Sequence, residues 1–282
     1  MKLITWNLQW CCGMDGAVDP ARIVRTAREI ADFDVLCVQE VARNFAGLAG
    51  SRGEDQFALL RGLLEGYRGF FVAATDLDDG AGGRRKFGNA IFSRRPVAQV
   101  FRHLLPWPAD ASAPSMQRAA IEAVVADGDG WMRILTTHLE YYSTPQRIAQ
   151  VHALRGLHAE AAAHAAAPRP AGNEPDSPFS PAPRPAAALL CGDFNFRPGS
   201  IEHSLMTRPL SGAAPALLDA WTLRHPGEPH PATIRRFDPG WTPYCCDFVF
   251  ASADLAPRIT EVAVEPASRA SDHQAVLVEL AD

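Results

Sequence analysis

Short apolar runs bounded by turn-forming residues recur from one end of the chain to the other. Those at 3–8, 35–38, 70–74, 89–93, 97–104, 119–125, 131–139, 187–191, 248–251, 258–264 and 275–280 are too short for free-standing helices and read as strands. Asp127-Gly128-Asp129-Gly130, between two of them, is a hairpin signal. Helical spacing interrupts the series. Asp19-Pro20 offers a cap and a proline at the first helical position, followed by Ile23, Val24, Ala27, Ile30 and Ala31. Residues 54–64 repeat the spacing, and 144–166 form a long alanine-rich helix. Hairpins mixed with helices predict sheets covered by helices on their outer faces.

Residues 167–186 are dense in proline and predict a loop insertion, since they can pack neither as helix nor as strand. The strand at 187–191 needs partners from the first half, so the expectation is one domain over 1–282. A chain of 282 residues with 47% hydrophobic and 21% charged residues buries a core without staples. It is neither disordered nor collagen-like, and no window has the roughly 18–20 unbroken apolar residues of a membrane span. The N-terminus lacks the apolar core of a signal peptide. A reduced, cytoplasmic protein with no stable membrane association is expected, and a monomer.

Six cysteines are present, and no secretion signal supports disulfides. Cys37 and Cys191 lie in apolar runs and read as core residues. The adjacent pairs Cys11-Cys12 and Cys245-Cys246 lack the spacing of a structural zinc site. Net charge is −5, unlike a basic nucleic-acid coat protein. Of the 27 basic residues only Lys2 and Lys86 are lysines, leaving 25 arginines. Compositional bias explains an arginine excess, and so does service near phosphates, where the planar fork is favoured.

Polar residues gather where strand patterns end, the place where α/β proteins put their sites. Asn7, Glu40 and His138 close strands, Asp193 and Asn195 follow Cys191-Gly192, Asp247 opens a strand, and Asp272-His273 precede the last one. In Gly192-Asp193-Phe194-Asn195 alternate residues share a face, so Asp193 and Asn195 point together and Phe194 points into the core. In Ser271-Asp272-His273 the two titratable groups face apart, so His273 needs another carboxylate to orient it. Taken singly, each of these residues is also an ordinary cap or turn residue. His152, His158 and His164 on the long helix read as a solvated face.

In order, Trp6-Asn7, Gln39-Glu40, Gly88-Asn89-Ala90-Ile91-Phe92-Ser93, Thr137-His138-Leu139, Gly192-Asp193-Phe194-Asn195, Asp247-Phe248-Val249-Phe250 and Ser271-Asp272-His273 resemble the endonuclease/exonuclease/phosphatase superfamily over nearly the whole chain. The Gly-Asp-Phe-Asn and Ser-Asp-His blocks are the most specific. The resemblance implies a four-layer α/β sandwich, two packed mixed β-sheets flanked by helices. It implies a divalent-metal site at Asn7, Glu40 and Asp272, for Mg²⁺ with Mn²⁺ as the substitute, because oxygen ligands suit a hard cation. It implies Asp193 as the residue that orients or deprotonates water and Asn195 as a donor to the nucleophile or phosphoryl oxygens. His273 matches a catalytic imidazole oriented by Asp247, His138 a second histidine at the phosphate or leaving group, and Asn89 a support of the phosphate pocket. Many relatives carry a basic residue shortly before the strand-opening aspartate, where this chain has Tyr244-Cys245-Cys246-Asp247.

The expected activity is therefore metal-dependent phosphoester hydrolysis, foremost by a nuclease-type phosphodiesterase. A phosphomonoesterase or inositol-phosphate activity, a sphingomyelinase-like activity and a non-catalytic scaffold are the alternatives. His138 in its Thr-His-Leu context points toward the deoxyribonuclease and sphingomyelinase branches. Arg118, and the clusters Arg84-Arg85-Lys86 and Arg94-Arg95 beside the Asn89 strand, are candidates for phosphate contact, against solvated loop charges.

Overall fold

A computed structural model describes residues 1–168, 177–212 and 214–281. The elements are β1 (Lys2–Asn7), α1 (Pro20–Ile30), β2 (Val35–Arg43), α2 (Gln56–Leu63), β3 (Arg68–Asp78), β4 (Arg84–Ser93), β5 (Val97–Leu104), β6 (Ala119–Asp127), β7 (Gly130–His138), α3 (Thr144–Ala166), β8 (Ala188–Asp193), α4 (Ile201–Thr207), β9 (Leu217–Asp219), α5 (Ala220–Arg224), β10 (Asp247–Ser252), β11 (Ile259–Val264) and β12 (Val276–Leu280). The long helix and the strand at Val97–Leu104 keep their predicted limits. The hairpin β3–β4 extends beyond the apolar runs, and α4, β9 and α5 are too short to show a period. Part of the predicted proline-rich loop, residues 169–176, lies outside the described residues.

The strands form two six-stranded mixed sheets, ordered β11-β12-β1-β2-β4-β3 and β5-β6-β7-β8-β10-β9. Each sheet has one parallel pair at its centre, β1 with β2 and β7 with β8. Antiparallel neighbours flank both pairs: β12 and β4 in the first sheet, β10 and β6 in the second. The period of two in the strands decides the layering. In β1, Leu3 packs into the space between the sheets with Val35, Cys37, Ile134 and Cys191. Its neighbour Ile4 points outward to Ile23, Val24 and Ala27 of α1 and Leu60 of α2. On the other side Leu135, Leu190 and Phe250 meet Val151 and Leu154 of α3. The result is the expected four-layer sandwich, and each such buried aliphatic side chain contributes about 1.5–3 kcal/mol.

Side chains stop and start the helices as the sequence suggests. Asp19 accepts from the Arg22 amide with Pro20 behind it, and Ser143 accepts from the Gln146 amide at the head of α3. The expected solvated histidine face of α3 holds for His152 and His164 but not for His158. His158 is buried: its Nδ1 lies 2.7 Å from Arg133 Nη2 and its Nε2 2.9 Å from the Pro215 carbonyl. Burial pushes its pKa down, so a neutral ring accepts from Arg133 and donates to Pro215. Sequence spacing could not show this, because Arg133 arrives from β7.

All six cysteines are free and buried. Most of the basic residues offered for phosphate contact are tied up in local ion pairs, and Arg85 lies over the Phe45 ring and donates to the Asp78 carbonyl. Arg84 and Lys86 both pair with Asp76 across the β3–β4 hairpin, and Arg94 pairs with Asp32 and Asp34. Nearby, fully buried Glu122 receives Arg184, has Arg133 Nη1 at 3.7 Å and has His103 Nε2 at 3.4 Å. Burial alone would raise its pKa, but His103, Arg133 and Arg184 outweigh it and hold the carboxyl below its ordinary value. Stability from this group is present above the ordinary carboxylate range and lost as pH falls through it. Glu122→Gln leaves two buried guanidinium groups short of charge, so urea denaturation should show a loss of about 3 kcal/mol at neutral pH. The deficit should shrink in acid.

Candidate functional site

The two parallel pairs end at the same pole of the sandwich. Asn7 is the last residue of β1 and sits beside Gln39 of β2, while His138 and Asp193 are paired at the ends of β7 and β8. The antiparallel neighbours begin where these strands end: Asp247, first in β10, pairs with Asp193, and His273 lies just before β12. Strand direction thus collects residues spread over the chain from 7 to 273.

Local backbone sharpens the placement. β2 was expected to end at Gln39-Glu40, yet it runs on to Arg43 because Val41-Ala42 resume the apolar pattern. Its register shifts between Val38 and Val41, and Glu40 takes φ +58°. This irregularity turns Glu40 toward the pole, a strained conformation of the kind found at functional sites. Gly192 has φ +135°, and a Cβ there would stand 2.0 Å from the Thr137 carbonyl oxygen. Only glycine lets β7 and β8 close up beneath His138 and Asp193. Asn195 and Asp193 do converge, by a turn instead of a shared strand face. Asn195 has φ +52°, and its amide donates to Asp193 Oδ1 at 2.9 Å. Phe194 points into the core as expected.

The side chains form one network. Asn7 Nδ2 donates to Glu40 Oε1 at 3.1 Å and to Asp193 Oδ2 at 3.0 Å. Its Oδ1 accepts from the Gln9 amide at 3.0 Å, which fixes the amide so that Nδ2 spaces the two carboxylates. Asn195 Nδ2 donates to the Leu139 carbonyl and to His138 Nε2, each at 2.9 Å, which leaves the proton of neutral His138 on Nδ1. That nitrogen lies 3.7 Å from Glu40 Oε1, while Nε2 lies 3.3 Å from Asp193 Oδ2. Burial, then the charge of Arg118, pushes the His138 pKa down to about 3, so the ring is neutral.

His273 is the opposite case. Its Nδ1 is 2.8 Å from Asp247 Oδ2 and its Nε2 is 3.7 Å from Asp193 Oδ2. Burial alone would depress the ring, but Asp247, Asp193 and Asp272 raise it well above its ordinary value. The orienting carboxylate that the Ser-Asp-His spacing called for is thus Asp247. Thr233 completes the pair. Its hydroxyl donates to Asp247 Oδ2 at 2.6 Å and accepts from the Cys246 and Asp247 amides. Thr233 lies in an irregular loop and carries no sequence signal. Trp6 Nε1 holds the His273 carbonyl at 2.9 Å. Asn89 spends its Nδ2 on the Ala119 carbonyl and, with Arg118 and His138, lines a small recess. Arg118 is itself buried against Glu140, 3.2 Å away.

The donor set suits a hard cation. Burial and then Asp272 push the Glu40 carboxyl up to about 7, so these two acidic groups meet without enough positive charge. Among the described residues no lysine or arginine forms an ion pair with Glu40, Asp193 or Asp272; the rings beside Glu40 and Asp193 are His273 and neutral His138. A divalent cation bound by such oxygen donors would offset that repulsion. The Cys245 and Cys246 thiols, raised well above their ordinary range by burial, are not ready anionic ligands.

A model of the endonuclease/exonuclease/phosphatase family matches residues 4–273. Among solved structures, the chain is similar to an endonuclease/exonuclease/phosphatase from Beutenbergia cavernae DSM 12333, at 24% identity and TM-score 0.72, covering 99% of this chain and 71% of that one. It is similar to the mannosyl-6-phosphatase Bt3783 of Bacteroides thetaiotaomicron VPI-5482, at 17% identity and TM-score 0.62, covering 100% of both chains. It is also similar to the human Nocturnin catalytic domain with bound sulfate, at 18% identity and TM-score 0.63, covering 100% of this chain and 93% of that one. No curated protein sequence matches the chain.

Ionised Glu40 costs the metal-free fold stability, because a carboxyl raised from 4.5 to about 7 binds its proton more tightly when folded. Metal-free protein should therefore lose stability as pH rises across that interval. Glu40→Gln should melt higher than the parent at pH 8 without metal, by about 2–4 °C for each kcal/mol relieved. Mg²⁺ should raise the melting temperature of the parent and leave the variant nearly unmoved.

Proposed function

Because the chain belongs to the endonuclease/exonuclease/phosphatase family, whose members are usually divalent-metal-dependent phosphoesterases, we propose that it is a Mg²⁺-dependent phosphodiesterase of nuclease type. The convergence of Asn7, Glu40, His138, Asp193, Asp247 and His273 at one pole carries this reading. Asn7, Glu40 and Asp272 would hold the metal, and the Asn7 amide also orients Glu40 and Asp193. When bound, the metal polarises a phosphoryl oxygen and stabilises the leaving oxygen.

The remaining work belongs to side chains. His273, raised by Asp247 and Asp193, carries a proton on Nε2 and donates it as a hydrogen bond to a phosphoryl oxygen as charge develops. A protonated His273 cannot take a proton from water. That task falls to Asp193, whose Oδ2 is already aligned by Asn7. Neutral His138, its Nε2 engaged by Asn195, offers Nδ1–H from the other side. Asn195 fixes His138 and has its own position fixed by Asp193.

The rim favours a substrate with flat bases beside the phosphate. Arg197 sits 3.9 Å over the Tyr244 ring and Arg235 sits 3.7 Å over the Trp241 ring. Arg235 Nη2 also reaches the Tyr141 hydroxyl at 3.3 Å. These residues belong to the site's own loops. Arg197 is two residues beyond Asn195, and the Arg235 amide reaches the Asp272 carbonyl at 3.4 Å. Tyr141, Tyr142 and Trp241 are exposed. Guanidinium and ring together suit phosphate on one side and a stacked base on the other. Among the described residues no helix is long and apolar enough to cross a membrane.

Asp193→Ala should lower hydrolysis of bis-para-nitrophenyl phosphate by about 10²–10⁴-fold, the range of a positioned base, with the circular dichroism spectrum unchanged. Undiminished turnover would remove Asp193 from the mechanism. Hydrolysis of para-nitrophenyl phosphate alone, across a panel including plasmid DNA, oligonucleotides and inositol phosphates, would select a phosphomonoesterase. Arg235→Ala should raise KM for single-stranded oligonucleotides about tenfold, equivalent to one stacked base of about 1–3 kcal/mol. It should leave bis-para-nitrophenyl phosphate kinetics nearly unchanged.

A further inference from the structure

Behind β10, outside the hydrogen-bond network just described, three side chains aim their ligating atoms at one point. His203 comes from α4, Asp219 closes β9, and His230 comes from the loop after α5. Asp219 Oδ2 lies 2.8 Å from His203 Nε2 and 2.7 Å from His230 Nε2. All three ligand atoms fall within 4.8 Å of one another. The other carboxylate oxygen is already used. Asp219 Oδ1 accepts the Trp221 amide at 2.9 Å and the Thr222 amide at 3.4 Å, which fixes the direction of Oδ2. The rings are fixed as well. His203 and His230 pack against Phe248 with centroids 5.4 Å and 5.5 Å away, and His230 lies against Trp221. Rigid, outer-supported ligands of this kind are what metal sites are built from.

We propose that His203, Asp219 and His230 form a second metal site, one for a zinc-class divalent transition ion. Two imidazole nitrogens and one carboxylate oxygen suit such an ion, whereas Mg²⁺ prefers oxygen alone. Zinc bonds of about 2.0–2.2 Å to nitrogen and oxygen require the three atoms to part only slightly from their present spacing. Without metal, both imidazoles donate Nε2–H to Oδ2. With metal, the Nε2 lone pairs bind the ion and the ring protons move to Nδ1. A fourth ligand has room: a cavity of about 20 Å³ is lined by Asp219, His230, Cys245 and Asp247, enough for one water. Asp247, which helps line the same cavity, has its Oδ1 buried without a hydrogen-bond partner among the described residues. The ion ties α4, β9 and the 225–233 loop to the back of the strand that carries Asp247.

The test uses the full chain in a Glu40→Ala/Asp193→Ala background, which disables the other site. Elemental analysis after dialysis against micromolar Zn²⁺ should find one equivalent of zinc. Co²⁺ titration should give the visible absorption bands of a four-coordinate nitrogen–oxygen site. His203→Gln keeps a hydrogen-bond donor for Asp219 but is a poor ligand, and it should lose at least tenfold in Zn²⁺ affinity while staying folded. Absence of stoichiometric zinc, or unchanged affinity in His203→Gln, overturns the proposal. Should that variant not fold, X-ray absorption of the unaltered site decides: two imidazoles per zinc support it, and a sulfur or all-oxygen shell refutes it.

Discussion

One amide nitrogen joins the two sheets at the pole where the strand-end polar residues gather. Asn7 Nδ2 donates within its own sheet to Glu40 and across the gap to Asp193 of the facing sheet. Gln39 repeats the bridge one strand over, donating to Thr136 at 2.7 Å. Both bridges exist because β1 and β2 in one sheet, and β7 and β8 in the other, end together at the same pole. The apolar layer of Leu3, Cys37, Ile134 and Cys191 sets how far apart those ends stand. Close-packed interiors hold such a spacing rigidly, and the polar residues inherit it.

Charge is distributed unevenly around this frame. At the pole Asn7 joins the carboxylates of Glu40 and Asp193, and two histidines in different protonation states lie beside them. The arginines sit elsewhere or at the edge. Some close local ion pairs, as Arg94 does with Asp32 and Asp34. Arg133 and Arg184 neutralise a buried glutamate. Arg197 and Arg235 lie on aromatic rings at the rim. A net charge of −5 therefore coexists with a cationic edge beside an anionic centre.

Strand-end residues were legible in the sequence because strands are periodic and apolar, so a polar residue that closes one stands out. Asn7, Glu40, His138, Asp193 and Asp247 all carried that mark. Thr233 and His230 did not, because irregular loops have no period against which a residue can be unusual. His158 looked solvated because the helix pattern reports nothing about an arginine arriving from β7. The left-handed turn at Asn195 was hidden too, since asparagine tolerates that conformation without announcing it.

What the sequence determined by itself was the longer strands and helices, the covering of sheets by helices and the residue types available for chemistry. Apolar period and turn residues act over a few positions, and a chain cannot conceal them. The tertiary structure alone decided which groups meet and in which protonation state. His138 and His273 are both strand-end histidines in sequence, yet burial beside Arg118 keeps one neutral while Asp247 and Asp193 charge the other. Electrostatic energy depends on distance and on exclusion of water, and both are set by neighbours that lie as far apart in the chain as Asn7 and His273.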